Sequence, residues 1–199
     1  MKPPQVLGHH RPNVNGACEY LTLSFSPLRA PLRSRWRNNG LSADFLSDYV
    51  TTFLPGSGDL ANESAHNKIR HAVSYVSNEL LENAMKYHEN TIDVPITIDM
   101  ELTTEHINIK ASNGVNEVQA QRYKLFIDSL MSDDPGDLML RTLERGVDDD
   151  PHTSGLGLLT MMNDYGADLA WHFDSSPGNA SIETVTTSVI LTLTNLYGS

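Results

Sequence analysis

The most constraining feature of this chain is a pair of strictly alternating runs. Ile92, Val94, Ile96, Ile98, Met100 and Leu102 occupy every second position, and after a short turn Ile107, Ile109 and Ala111 do the same. A period of two places these side chains on one face of an extended backbone, which predicts two antiparallel strands forming a hairpin. A sheet with one apolar face needs a covering layer. The preceding segment supplies one: over residues 66–88, Ile69, Ala72, Val73, Val76, Leu80 and Ala84 recur at three- and four-residue steps, the pattern of a core-facing helix.

The remaining elements fit the same plan. CEYLTLSFS, from Cys18 to Ser26, alternates with Leu21, Leu23 and Phe25 on one face and predicts a strand. Residues 41–54 place Leu41, Phe45, Tyr49 and Phe53 at spacings of four, so one helical stripe is apolar, and Pro55 and Gly56 end it. Helical spacing returns over 116–131 and near Leu138 to Arg145, and again from Gly155 to Tyr165. Two strands close the chain, one with Leu169, Trp171 and Phe173, the other with Val189, Leu191 and Leu193. The expected fold is an α/β two-layer sandwich with a mixed, mostly antiparallel sheet and helices on one face. Residues 1–17, with their prolines, glycines and the adjacent His9 and His10, read as a flexible leader, and 18–199 as a single domain.

Composition narrows the function classes. A net charge of -11 argues against nucleic-acid binding, which depends on clustered Lys and Arg. The single cysteine, Cys18, allows neither an internal disulfide framework nor a thiolate metal site and fits a reducing compartment. No apolar run approaches the roughly 18–20 residues of a membrane helix, so a cytoplasmic protein without membrane association is expected.

Two constellations carry the chemistry. On the long helix, Glu79, Asn83 and Lys86 share one stripe, because steps of four and three return to nearly the same angle. An Asn at a core border needs a partner, and a hard cation such as Mg²⁺, which takes oxygen ligands, is one. An Asn carbonyl could then be a ligand, a Glu one turn earlier could accept a proton, and Lys86 could face phosphate. An amphipathic helix with solvated polar edges has the same spacing. The second constellation, Thr153-Ser154-Gly155-Leu156-Gly157-Leu158, follows an acidic loop at 146–154 and opens a helix. Glycines at a helix N-terminus let backbone N–H groups approach a phosphate. They equally permit a tight turn and close helix packing.

Taken together, the motifs support a resemblance. ELLENAMKY resembles the N box of the GHKL superfamily of ATPases and kinases (gyrase, MutL, histidine kinases), and TSGLGLL resembles its second glycine box behind the ATP lid. They stand in the family's order, with a hairpin and a lid-like segment between. Within that superfamily the chain, over about residues 18–196, resembles the small anti-sigma-factor serine kinases of bacterial partner-switching systems, and the SiaB-type protein kinases more nearly still. The resemblance implies binding of ATP and Mg²⁺ and phosphorylation of a Ser or Thr on a small STAS-like, anti-anti-sigma type partner, reversed by a phosphatase. It implies Glu79 as the base, Asn83 as the metal ligand, and Gly155 and Gly157 at the phosphates. It also implies a homodimer formed through the first strand and helix.

The sequence departs from this pattern at the adenine end. The family's Asp-x-Gly-x-Gly turn aligns with Ser112-Asn113-Gly114-Val115-Asn116, so Ser112 replaces the Asp and Asn116 the second Gly. A neutral group still accepts one hydrogen bond, without the charge that strengthens it. Thr153 stands where the second box has its first glycine. A non-catalytic GHKL module that docks to a signalling partner is therefore the alternative function. A stand-alone histidine kinase is not expected, because no helical pair carries a phosphoacceptor His, and His71 and His88 read as helix-surface residues.

Overall fold

The alternating segments become strands because each can bury one face and pair along both edges. A computed structural model describes residues 4–9, 19–26, 32–54, 63–89, 91, 93–145, 155–175 and 182–197. Its elements are β1 (Gln5–Gly8), β2 (Glu19–Phe25), α1 (Leu32–Thr51), α2 (Glu63–Lys86), β3 (Ile96–Leu102), β4 (His106–Asn116), α3 (Glu117–Ser132), α4 (Pro135–Arg145), α5 (Leu156–Asp164), β5 (Asp168–Ser175), β6 (Ile182–Thr192) and α6 (Leu193–Tyr197). The described strands form one sheet in the order β1-β5-β6-β4-β3-β2, and every pairing is antiparallel. The fold is an α/β sandwich with its helices on one face of the sheet.

The hairpin register follows from the alternation. Ile98 pairs with Ala111, Met100 with Ile109 and Leu102 with Ile107, so the apolar residues meet directly across the ladder. The first of these strands begins at Ile96 rather than Ile92, immediately after Pro95, which has no N–H to give to a ladder. Helix α2 lies over β3 and β4 and buries Ile69, Val73, Val76, Leu80 and Leu81, each such side chain stabilising the fold by roughly 1.5–3 kcal/mol. Beyond the sheet's covered face, the other face is polar. Asp99 accepts hydrogen bonds from Tyr20 and Thr22, and Glu101 from Asn108 and Lys110.

Three expectations are corrected. Residues 5–8, read as part of a flexible leader, form an edge strand on β5, with Leu7 opposite Trp171. Four residues are too few to show a period. Helix α1 starts well before residue 41 and ends at Thr51; Leu41 and Phe45 on it and Phe53 just past it are exposed, while Ala43, Leu46 and Val50 form its buried face against α2, with Leu54 buried beyond its end. The helix has two apolar stripes, and spacing does not tell which one faces the core. His88 is buried, its Nδ1 accepting from the Gly114 N–H at 3.3 Å, whereas His71 is exposed. No helix among the described residues is long and apolar enough to cross a membrane.

Candidate active site

The two polar constellations meet where α5 crosses α2. Gly157, in the first turn of α5, lies so close to Glu79 that a Cβ there would overlap the carboxylate oxygen Oε2. One turn earlier on α2, Tyr75 hydrogen-bonds the Thr160 side chain and packs its ring 5.5 Å from Tyr165. The crossing thus holds Glu79 against the N-terminal turn of a helix. Burial is the main cause that raises the Glu79 carboxyl above its ordinary range; Glu82 adds to the rise and Lys86 opposes it. A carboxylate of raised basicity is suited to accept a proton.

Gly155 is the N-cap of α5 and has φ +62°, a left-handed conformation that glycine adopts without strain. Its missing side chain also leaves room for Phe126, whose Cζ would stand 2.6 Å from an added Cβ. Both glycines therefore serve the tight turn and the close packing of α5. That packing presents the first turn of the helix, whose N–H groups have no intrahelical acceptor, beside Glu79. Leu156 is half-buried in the same turn, while Thr153, Ser154 and the acidic loop lie outside the described residues.

Further along α2, Asn83 borders a small cavity of about 10 Å³, the room of about one water. Its other walls are Leu80, Ala84 and Tyr87 from α2, Ala111, Asn113 and Val115 from β4, Tyr123 from α3 and Thr187 from β6. Asn113 is buried, and its Nδ2 has no hydrogen-bond partner. Tyr123 is held firmly in this wall: its hydroxyl accepts from Trp171 Nε1 at 3.0 Å and lies 3.3 Å from Thr187 Oγ1, and its ring stacks between Tyr87 and Phe126. Burial raises the Tyr123 phenol pKa, and its bonds to Thr187 and Trp171 oppose the rise. Glu79, Asn83 and Asn113 thus run in sequence from the α5 turn to the cavity.

Other expected site residues are placed elsewhere. Ser112 is on the opposite face of the sheet, bonded to Thr186 at 2.8 Å, because strand alternation sends Ala111, Asn113 and Val115 toward the helices instead. Gly114 has its N–H on His88 and its C=O bonded to the Glu89 N–H, so neither group is turned to the cavity. Lys86 is exposed at the end of α2, its ammonium 5.2 Å from the Tyr87 ring centroid. Asn116 caps α3: its side chain accepts from Gln119 N, Gln119 returns the bond, and Asn116 Nδ2 donates to Glu89 at 2.7 Å. Tyr87, Tyr123 and Thr187 were not singled out in the sequence. For Thr187 a signal exists, since it is a polar residue in phase with Val185, Val189 and Leu191 on the buried side of β6.

No protein-family model matches the sequence, and no curated protein matches it. Among solved structures, a chain in the crystal structure of the SiaB–SiaC complex from Pseudomonas aeruginosa matches with a TM-score of 0.51 and 16% sequence identity. The match covers 85% of this chain and 89% of that one. The likeness is one of fold.

Proposed function

We propose that the chain is an ATP-dependent protein serine/threonine kinase of the GHKL type, acting in a bacterial partner-switching system on a small STAS-like protein. The observation that carries this reading is the contact of Glu79 with Gly157, which joins the two family-like motifs at one point. Asn83 adjoins that point, and Asn113 offers a buried polar group at the other end. The structural neighbour comes from a complex of two proteins, which supports action on a protein partner.

In this reading ATP is the substrate, its phosphates lying at the first turn of α5 and its base at the Asn113 cavity. The Glu79 carboxylate accepts the proton of the partner's Ser or Thr hydroxyl as that oxygen attacks the γ-phosphorus and ADP leaves. Asn83 Oδ1 would hold Mg²⁺, a cation that usually takes only one or two oxygens from protein; when bound, it neutralises charge on the phosphates. Asn83→Ala should then lose nucleotide, and Glu79→Ala should bind ATP without transferring phosphate, read by calorimetry and by label from γ-³²P-ATP on the partner. Absence of ATP binding at millimolar nucleotide by folded protein overturns the proposal.

One observation favours the second reading, a non-catalytic docking module: the cavity beside Asn113 has room for only about one water. Partner binding with no nucleotide requirement, in a protein that transfers no label, would select it. A phosphatase that restores the partner belongs only to the first reading.

A further inference from the structure

We propose that the cavity between α3 and the β1 edge of the sheet binds a small, neutral, hydroxyl-rich molecule of the sugar or cyclitol class. This cavity shares no wall residue with the one beside Asn113, and its volume of about 510 Å³ lies within the range of small-molecule sites. Its walls break the pattern of the sheet. Strand pairing puts Gln5, Phe173, Ser175 and Glu183 in phase with Leu7, Trp171 and Val185, on the side that faces the helices. That side is largely apolar elsewhere, yet here Phe173 stands among three polar residues, and Lys124 of α3 meets Glu183 at 2.8 Å. The two charged side chains are only 16% and 8% exposed. A pair so withdrawn from water costs desolvation that its own attraction scarcely offsets, and apolar residues of similar volume often serve a fold as well or better. A ligand that hydrogen-bonds the pair accounts for its presence.

The chemistry of the walls selects the ligand. Among the described residues that line the cavity, Lys124 and Glu183 are the charged ones, and their charges cancel. An anion would take Lys124 from Glu183, and a cation would take Glu183 from Lys124; either leaves one charge without its partner in a site withdrawn from water. A zwitterion would have to part the two. A hydroxyl both donates and accepts, so it bonds Lys124 and Glu183 while their own contact stays intact. Lys124 carries three N–H donors, of which Glu183 takes one, and its ammonium lies 4.5 Å from the Phe173 ring centroid, which fixes its position in the wall. The Gln5 amide and the Ser175 hydroxyl likewise combine donor and acceptor. Val6, 43% exposed, gives the opening an apolar side for the C–H face of a ring.

The test is saturation-transfer NMR on the full chain with D-glucose, D-galactose, D-mannose and myo-inositol, and with glycine and inorganic phosphate as charged probes. Sugars stabilise folds generally as osmolytes, so binding rather than melting is the readout. At least one of the neutral molecules should bind saturably, with cross-relaxation between its C–H protons and the Val6 methyls, an observation that needs no variant. Ser175→Phe fills the cavity and leaves the ion pair in place; it should weaken that binding by about tenfold or more. Lys124→Met keeps the bulk of the side chain and removes its donors, and it too should weaken binding by about tenfold or more, the loss of a hydrogen bond to a charged group. Saturable binding by none of the neutral molecules overturns the inference, as does binding without contact to the Val6 methyls. Tighter binding of glycine or phosphate, or neutral binding unchanged in both variants, overturns it equally. None of these outcomes bears on the nucleotide reading, which is decided by ATP.

Discussion

Glu79 is held in surroundings that disfavour its charge, and this has a consequence for stability. Its folded pKa lies above the ordinary value because burial penalises the carboxylate. The folded state therefore favours the protonated form. Its contribution is fully present below the unfolded pKa and is lost as pH rises through the raised folded value. Glu79→Gln, which is neutral throughout, should match the unmodified protein at about pH 4 and melt higher at pH 7. Calorimetric melts across that range check it; an offset that does not change with pH would show that charge is not the cause. The same residue scale shows what the sequence discloses. Asn113 and Thr187 are polar residues on the buried phase of alternating strands, so alternation alone marks them. Aligning the family's acidic position with Ser112 sets that phase aside, and one residue of shift in a strand moves a side chain to the other face.

Among the elements, α3 supplies Tyr123 to the wall of the cavity beside Asn113. The ring of Tyr123 is one wall of that cavity, and its hydroxyl is tied to Trp171 Nε1 and to Thr187 Oγ1. In the proposed nucleotide-binding reading, a base enters only if those bonds break and the ring withdraws. Tyr123→Phe removes the bonds from the closed state, so the variant should melt lower yet bind ATP about fivefold or more tighter, since less free energy opposes opening. In a Trp36→Phe background, Trp171 fluorescence should change on ATP binding to the unmodified Tyr123 site. Unchanged or weaker affinity of Tyr123→Phe, with no fluorescence response, would show that the ring does not close the cavity. Sequence pattern could not reveal this. The spacing of α3 shows a helix, but the inward turn of Tyr123 depends on Phe173 and Trp171 arriving from β5, far along the chain. Helix α2 is the opposite case: its own periodicity sets both its buried face and the Glu79–Asn83 stripe.

At the scale of the molecule, the hairpin was legible because its partners are neighbours in sequence, whereas the insertion of β6 between β4 and β5 was not. The sheet ends at β2, whose outer edge has no strand among the described residues. Beside it α1 exposes Leu41 at 63% and Phe45 at 49%, continued by Tyr49, which packs on Phe53 and bonds Glu19 of β2 at 3.4 Å. An open strand edge flanked by an apolar helix stripe is an exposed pairing surface, and one patch that carries both suits a two-fold contact with a second copy. We therefore propose a homodimer through β2 and α1. Two anionic copies, each with a net charge of -11, repel at long range, so the contact must come from the apolar stripe, and added salt should strengthen it. Phe45→Glu places a carboxylate in the middle of that stripe without touching the buried face of α1. Light scattering at micromolar concentration should give twice the chain mass for the unmodified protein and the single mass for the variant. The variant's melting point, extrapolated to low protein concentration, should be unchanged. A monomer in both cases, or a dimer indifferent to Phe45→Glu, would remove this surface from the assembly.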